Sequence, residues 1–342
     1  MSSNLGTTGA PARRRNPATP KPARHPAEAV RAELAACEAK LLSLLDSREA
    51  LIAEVCHYLI DGAGKRLRPL FVLLVYRACG GTDRTLEDAI DTAVAIELIH
   101  SATLLHDDII DGGTLRRGRP SALSRYGASL TLIAGDYLFC RAFELCGRFE
   151  ESLVRTAAQA CIQLTEGEVM EGRLRHNSAA TVSEYLAIIR RKTASLFAAG
   201  ARVAAHLAGA DQSAIAAAEK LGDTVGIAFQ MIDDLLDILG PEEKIGKPVG
   251  SDIRLGIPSL PVVLAAEKDA HFRHLFTNGG NPGEADLEKL LAAVRQPDLI
   301  AQVRAMAERE ATRARQVTAG LAPSVYRDGL ARLIDIQTNR KA

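Results

Sequence analysis

The 342-residue chain is 47% hydrophobic and 25% charged, with 42 basic and 42 acidic residues and a formal net charge of zero. It is long enough to bury a sizeable core as one large domain or two modest ones. The neutral balance, the 4% aromatic content and the absence of Trp argue against a nucleic-acid surface, and no apolar run reaches the roughly eighteen residues needed to span a bilayer.

Residues 1–26 are rich in Pro, Ala, Ser, Thr and Gly, and their charges are all basic: Arg13, Arg14, Arg15, Lys21 and Arg24. There is no apolar stretch of the kind a secretory signal needs, and the segment reads as a disordered basic tail. From residue 27 onward Ala, Leu, Ile and Val recur at three- and four-residue spacing. The pattern predicts helices over 27–46, 48–61, 69–79, 85–111, 129–147, 150–172, 182–208, 212–239, 258–268, 285–294, 297–319 and 323–338. No alternating strand pattern or hairpin signal is evident. One all-α domain over 27–342 is expected, a large helical bundle around a central cavity. The six Cys show no C-x-x-C pair, and in their Ala-rich surroundings they read as small buried thiols of a cytoplasmic protein.

Two acidic segments break the pattern. Asp107-Asp108-Ile109-Ile110-Asp111 precedes Gly112-Gly113, and Asp233-Asp234-Leu235-Leu236-Asp237 precedes Gly240-Pro241. In each, the first and last Asp lie four apart on one helical face, and a helix-ending signal follows. Three carboxylates thus crowd the negative pole of the helix dipole among apolar neighbours. Two segments with the same spelling suggest a shared positive ligand, and a hard cation such as Mg2+ bridging to a diphosphate would satisfy the charges. Basic residues fit that picture. Gly64-Lys65-Arg66-Leu67-Arg68-Pro69 opens a helix, and Arg116-Arg117-Gly118-Arg119-Pro120 follows the first acidic segment. His100 lies two turns below Asp107. Lys192-Thr193 sits mid-helix, and Lys247 lies in a Gly-rich loop past the second segment. Taken singly, each has a bland alternative: a surface ion pair, a satisfied core His or a solvated face.

Together these residues resemble an all-trans polyprenyl diphosphate synthase of the isoprenoid synthase fold. The resemblance runs from about residue 50 to about residue 265. It is carried in order by GKRLRP (64–69), ELIHSATLLHDDIIDGGTLRRGRPS (97–121), AGDYLFCRAFELC (134–146), EGEVMEG (166–172), RRKTASLF (190–197), GIAFQMIDDLLDI (226–238) and GKPVGSDIRLGIPSLP (246–261). It implies that Asp107, Asp108, Asp111, Asp233 and Asp237 hold Mg2+, three ions per active site. It further implies that Arg116, Lys192 and Lys247 touch an allylic diphosphate, with Thr193 and Gln230 lining its pocket, and that Lys65, Arg68, His100 and Arg117 bind isopentenyl diphosphate. The expected reaction is ionisation of the allylic diphosphate, with Lys192 and the acidic residues as catalytic groups, attack by the isopentenyl double bond and loss of a proton. A homodimer is also implied.

Two departures stand out. Ile257 occupies the position where many relatives carry Lys in a G-K-x-T-L-P spelling, and Gly112-Gly113 replaces polar residues. Small residues at Ala102 and Thr103, one turn below Asp107, leave room for a tail between helices near Leu98 and Leu132, with Phe139 or Phe143 as a deeper cap. They predict a medium-to-long product. A short-chain geranylgeranyl or farnesyl diphosphate synthase is the alternative. A terpene cyclase or a non-catalytic synthase subunit fits less well, because both acidic motifs are intact.

Overall fold

The computed structural model describes residues 25–60, 64–240, 249–278 and 282–340. The expected tail thus lies almost wholly outside the described residues, which start with a 3-10 turn at Pro26–Glu28 whose Pro26 is buried. The helices are α1 (Arg31–Ser43), α2 (Ala50–Ile60), α3 (Leu67–Ala78), α4 (Leu86–Ile110), α5 (Ala122–Tyr126), α6 (Ala128–Cys146), α7 (Glu151–Arg173), α8 (Val182–Ile189), α9 (Ser195–Leu207) and α10 (Gln212–Leu239). Then follow α11 (Ser251–Arg254), α12 (Leu260–Lys268), α13 (Ala270–Asn278), α14 (Glu284–Val294), α15 (Pro297–Ala319) and α16 (Val325–Thr338). The architecture is the expected all-α bundle.

Local chemistry sets the helix starts. The Asp211 carboxylate caps α10 by accepting the Ala214 N–H at 2.8 Å. Thr181 and Glu184 form a reciprocal capping box at α8. Pro297 occupies the first turn of α15, where its missing N–H costs nothing. The core has two parts. One is built on α3, α4, α6 and α9, with Phe71, Leu98, Leu105 and Phe197 fully buried. The other surrounds the second half of α10 together with α12 to α15. The acidic end of α4 and the acidic end of α10 each emerge from one of them.

Four expectations are corrected. First, a two-stranded hairpin pairs β1 (Leu115–Arg116) with β2 (Arg119–Pro120). Its two-residue turn puts both Arg117 (φ 54°) and Gly118 (φ 75°) in the left-handed region, the geometry that a tight antiparallel hairpin needs. Arg at the first of these positions hid the signal. Second, the segment 182–208 is not one regular helix. A wide π turn at Arg190–Ala194 separates α8 from α9. Third, α5, α11 and α13 are too short or too polar for periodicity to reveal. Fourth, among the cysteines Cys140 is exposed, against expectation, whereas Cys37, Cys56 and Cys146 are buried.

Candidate active site

The π turn organises the site. Such turns insert one residue into a helix and recur at functional positions. Two glycines let neighbouring helices press against this one. A Cβ on Gly167 of α7 would lie 2.6 Å from the Lys192 nitrogen, and one on Gly226 of α10 would lie 2.5 Å from the Ala194 Cα. Lys192 and Thr193 are thereby clamped between α7 and α10. Lys192 Nζ makes ion pairs at 2.6 Å with both Glu168 and Glu171. Burial opposes its charge, but Glu171, Asp107 and Glu168 outweigh burial and raise its pKa. Asp107 feels the reverse balance. Burial, aided by Glu168 and Asp111, pushes its carboxyl up to about 7 although Lys192 and Arg116 oppose the shift.

The other acidic residues each meet a cation or a donor. Buried Asp108 is gripped by Arg116, whose Nη2 lies 2.7 Å from Oδ1 and whose Nε donates at 2.9 Å to the same oxygen. Arg175 Nη2 donates to Asp111 Oδ1. On α10, Asp233 is half exposed and lies 3.4 Å from Arg340, near the C-terminal end of the described chain. Asp237 is buried, and its Oδ2 accepts the Asp252 N–H at 3.2 Å. Asp234 faces the core. It accepts from Tyr185 at 2.7 Å, from Gln230 at 2.9 Å and from the Leu260 N–H at 3.1 Å, and burial raises its pKa against those bonds. The Thr193 hydroxyl and Gln230 Oε1 are 2.8 Å apart. Thr193 and Gln230 therefore link the π turn to Asp234 of the second acidic segment.

A basic pocket adjoins this acidic one. His100, Arg68 and Arg117 gather there with Arg66, which is held by Glu38 at 2.7 Å and by Glu97 at 3.5 Å. Arg66 is itself left-handed (φ 44°), so two of the three non-Gly residues with positive φ among those described sit here, the sort of backbone strain found at binding sites. Arg68 lies with its guanidinium 5.1 Å from the Phe197 ring centre, and its Nε is buried without a partner. Burial lowers its pKa, countered by Glu97 and Asp233, which ties this pocket to the second acidic segment. Burial, then the charges of Arg68, Arg116, Arg117 and Arg66, push the His100 imidazole well down, so it is neutral near pH 7. Lys65 is exposed at the rim. Lys247 lies outside the described residues.

The residues named for a tail path divide between the core and the surface. Ala102 is fully buried and Thr103 nearly so, its hydroxyl turned back to the His100 carbonyl at 2.8 Å. Leu98 is buried too, but Leu132 (48% exposed) and Phe143 (43%) point outward from α6. Periodicity alone could not tell the inner face of α6 from its outer one. Phe139 stacks on His106 with centroids 5.8 Å apart. The sequence reading also gave no role to Glu168, Glu171, Arg175, Tyr185 or Arg340. Only the two Glu had a visible signal, their spacing of three within EGEVMEG.

The profile of the polyprenyl synthetase family matches residues 49–294. The chain belongs to that family. Prenyl transfer is accordingly its activity. A geranylgeranyl diphosphate synthase from Methanosarcina mazei is 37% identical over 73% of this chain and 76% of its own. Component 2 of the heptaprenyl diphosphate synthase from Geobacillus stearothermophilus is 35% identical over 84% of this chain and 90% of its own. The crystal structure of a polyprenyl synthase from Caulobacter crescentus, complexed with calcium and isoprenyl diphosphate, superposes with a TM-score of 0.88 at 32% identity and covers 93% of this chain and 97% of that one. No helix among the described residues is long and apolar enough to cross a membrane.

Proposed function

We propose that this synthase condenses isopentenyl diphosphate with an allylic diphosphate in a Mg2+-dependent reaction and releases an all-trans polyprenyl diphosphate of medium-to-long chain, heptaprenyl or beyond. The observation that carries the reading is the adjacency of two unlike clusters of charged side chains. One is walled by carboxylates around Lys192. The other is lined by Arg68, Arg117 and a neutral His100. Two diphosphates with different tasks would need such a pair.

The donor set suits a hard cation. Asp107, Asp108, Asp111, Asp233 and Asp237 offer only oxygen, and burial works against the charge of the Asp107 carboxylate. Among the described residues no three such side chains form a ready-made ion cage. Mg2+ usually takes one or two carboxylates and fills its shell with water and substrate phosphate. The calcium bound by the Caulobacter relative is a cation of the same hard class. Bound here, Mg2+ would supply charge neutralisation to the leaving diphosphate.

The chain's own groups do the rest. Lys192 and Arg116 bring further positive charge to the allylic diphosphate as its C–O bond breaks, with Lys247 as a third candidate. Lys65, Arg68, His100 and Arg117 hold isopentenyl diphosphate so that its double bond faces the allylic carbon. His100 acts as a neutral N–H donor, not as a cation. The proton lost after bond formation passes to the released diphosphate. Half-exposed Leu132, Ile133 and Phe143 on α6, with Ile162 and Val169 on α7, offer an apolar face that a second copy would cover in a cytoplasmic homodimer.

The test is incubation of the purified chain with isopentenyl diphosphate, Mg2+ and allylic starters of increasing length, followed by chromatography of the products. Long all-trans products are expected, and a chelator should abolish them. Products that stop at geranylgeranyl diphosphate would overturn the chain-length reading. No consumption of isopentenyl diphosphate would overturn the reaction.

A further inference from the structure

Arg175 lies in the turn just after α7. Its Nη2 donates to Asp111 Oδ1, while its Nε is buried without a hydrogen-bond partner. The side chain is only partly buried (20% exposed), but a donor atom shut away from solvent is costly unless something completes it. The next residue, His176, holds a left-handed backbone (φ 57°), and its N–H donates to the Gly256 carbonyl at 2.8 Å. The two chains touch so closely that a Cβ on Gly256 (φ 68°) would meet the His176 ring at 2.4 Å. Arg175 and Ile257 are therefore sequence neighbours of a single backbone contact. The Arg175 side chain turns from there to Asp111.

We propose that Arg175 is a binding residue for the allylic diphosphate, parked on Asp111 when the site is empty and supplying the positive charge that Ile257 cannot. The inference rests on the prenyl-transfer reading and names one more cation of that same site. When a diphosphate enters beside Asp111, the fork has a second donor ready, so Arg175 can keep its carboxylate and still reach a phosphate oxygen. A Lys at residue 257 would approach from the other side of the His176–Gly256 contact.

The experiment compares wild type, Arg175→Gln, Ile257→Lys and the double variant. Calorimetry with Mg2+ reads binding of an unreactive allylic S-thiolodiphosphate and, separately, of isopentenyl diphosphate. Arg175→Gln should weaken the thiolodiphosphate about 10- to 100-fold, the worth of one charge-assisted hydrogen bond. Isopentenyl diphosphate should bind as before. Adding Ile257→Lys should recover most of the loss. Should Arg175→Gln fail to fold, Arg175→Met, which keeps an apolar stem and removes the charge, carries the same comparison with and without Ile257→Lys. Unchanged thiolodiphosphate affinity, or an equal loss for both ligands with no recovery, overturns the assignment while prenyl transfer stands. A wild type that elongates nothing overturns the prenyl-transfer reading, and this inference with it.

Discussion

The buried Tyr185 hydroxyl donates to Asp234 Oδ2 at 2.7 Å, and the same oxygen accepts the Leu260 N–H at 3.1 Å. One carboxylate thereby joins α8, α10 and the start of α12. Asp234 is the middle residue of its acidic segment, and it faces these donors while Asp233 is half exposed beside Arg340. Tyr185→Phe keeps the ring and removes one of three donors. It should cost about 1–2 kcal/mol in urea unfolding, because two partners still satisfy the carboxylate. A loss much larger than this would mean that Tyr185 also orders the π turn.

Gly167→Ala tests the clamp on Lys192. The added Cβ would sit 2.6 Å from the Lys192 nitrogen and 3.1 Å from its Cα, so backbone must move. Overpacking of this kind costs about 1–3 kcal/mol. The larger effect should fall on turnover, since Lys192 would leave Glu168 and Glu171. A drop of about 10- to 1,000-fold in kcat with a smaller change in KM is expected. Steady-state kinetics with saturating isopentenyl diphosphate check it.

The sequence made the bundle legible because long amphipathic helices carry a strong period, and α4, α7, α10 and α15 lie within two residues of their expected ends. The two acidic segments were legible because carboxylates among apolar residues defy the usual pattern. Interactions between distant segments were not legible. Arg175 meets Asp111 across 64 residues, Tyr185 meets Asp234 across 49, and Arg340 meets Asp233 across 107. No periodicity encodes such pairs. The π turn was hidden for a different reason: it changes the register of a helix without changing its composition. The hairpin was hidden because Arg117 occupies a left-handed position that usually goes to Gly or Asn.

Asp107 makes a pH prediction. Its carboxyl is pushed from 3.8 up to about 7, with burial as the leading cause. Between those values the folded protein holds a proton that the unfolded chain has lost, so this group's contribution to stability falls as pH rises and the full cost is present above about pH 7. Asp107→Asn removes that cost. In chelator, its stability relative to wild type should be near its minimum at about pH 4 and grow to a plateau above about pH 7, with an upper bound on the order of 4 kcal/mol. Thermal melts across that range measure it. Adding Mg2+ with inorganic pyrophosphate should shrink the gap, because only the carboxylate gains a ligand. A gap that does not change with pH would mean that Asp107 is already ionised and compensated in the free protein.

Ala102→Phe tests where the product tail runs. Ala102 is fully buried on α4, which packs against α6, and the buried residues of α6 include the small Ala134, Gly135 and Ala142 beside Leu138. Small residues on both sides have two consequences. They let the helices approach closely, and they leave a seam that can part around a slender polyprene. A Phe at residue 102 should cost about 1–3 kcal/mol by overpacking under either consequence, so stability alone does not discriminate. Product length does. If the tail passes through this seam, the ring stops it after a few isoprene units, and short allylic diphosphates accumulate at a rate close to that of wild-type initiation. If the seam is only packing, the variant is less stable but its products keep the wild-type length. Chromatography of the two product sets at a temperature below both melting transitions separates the cases, and shortened products are the expected outcome.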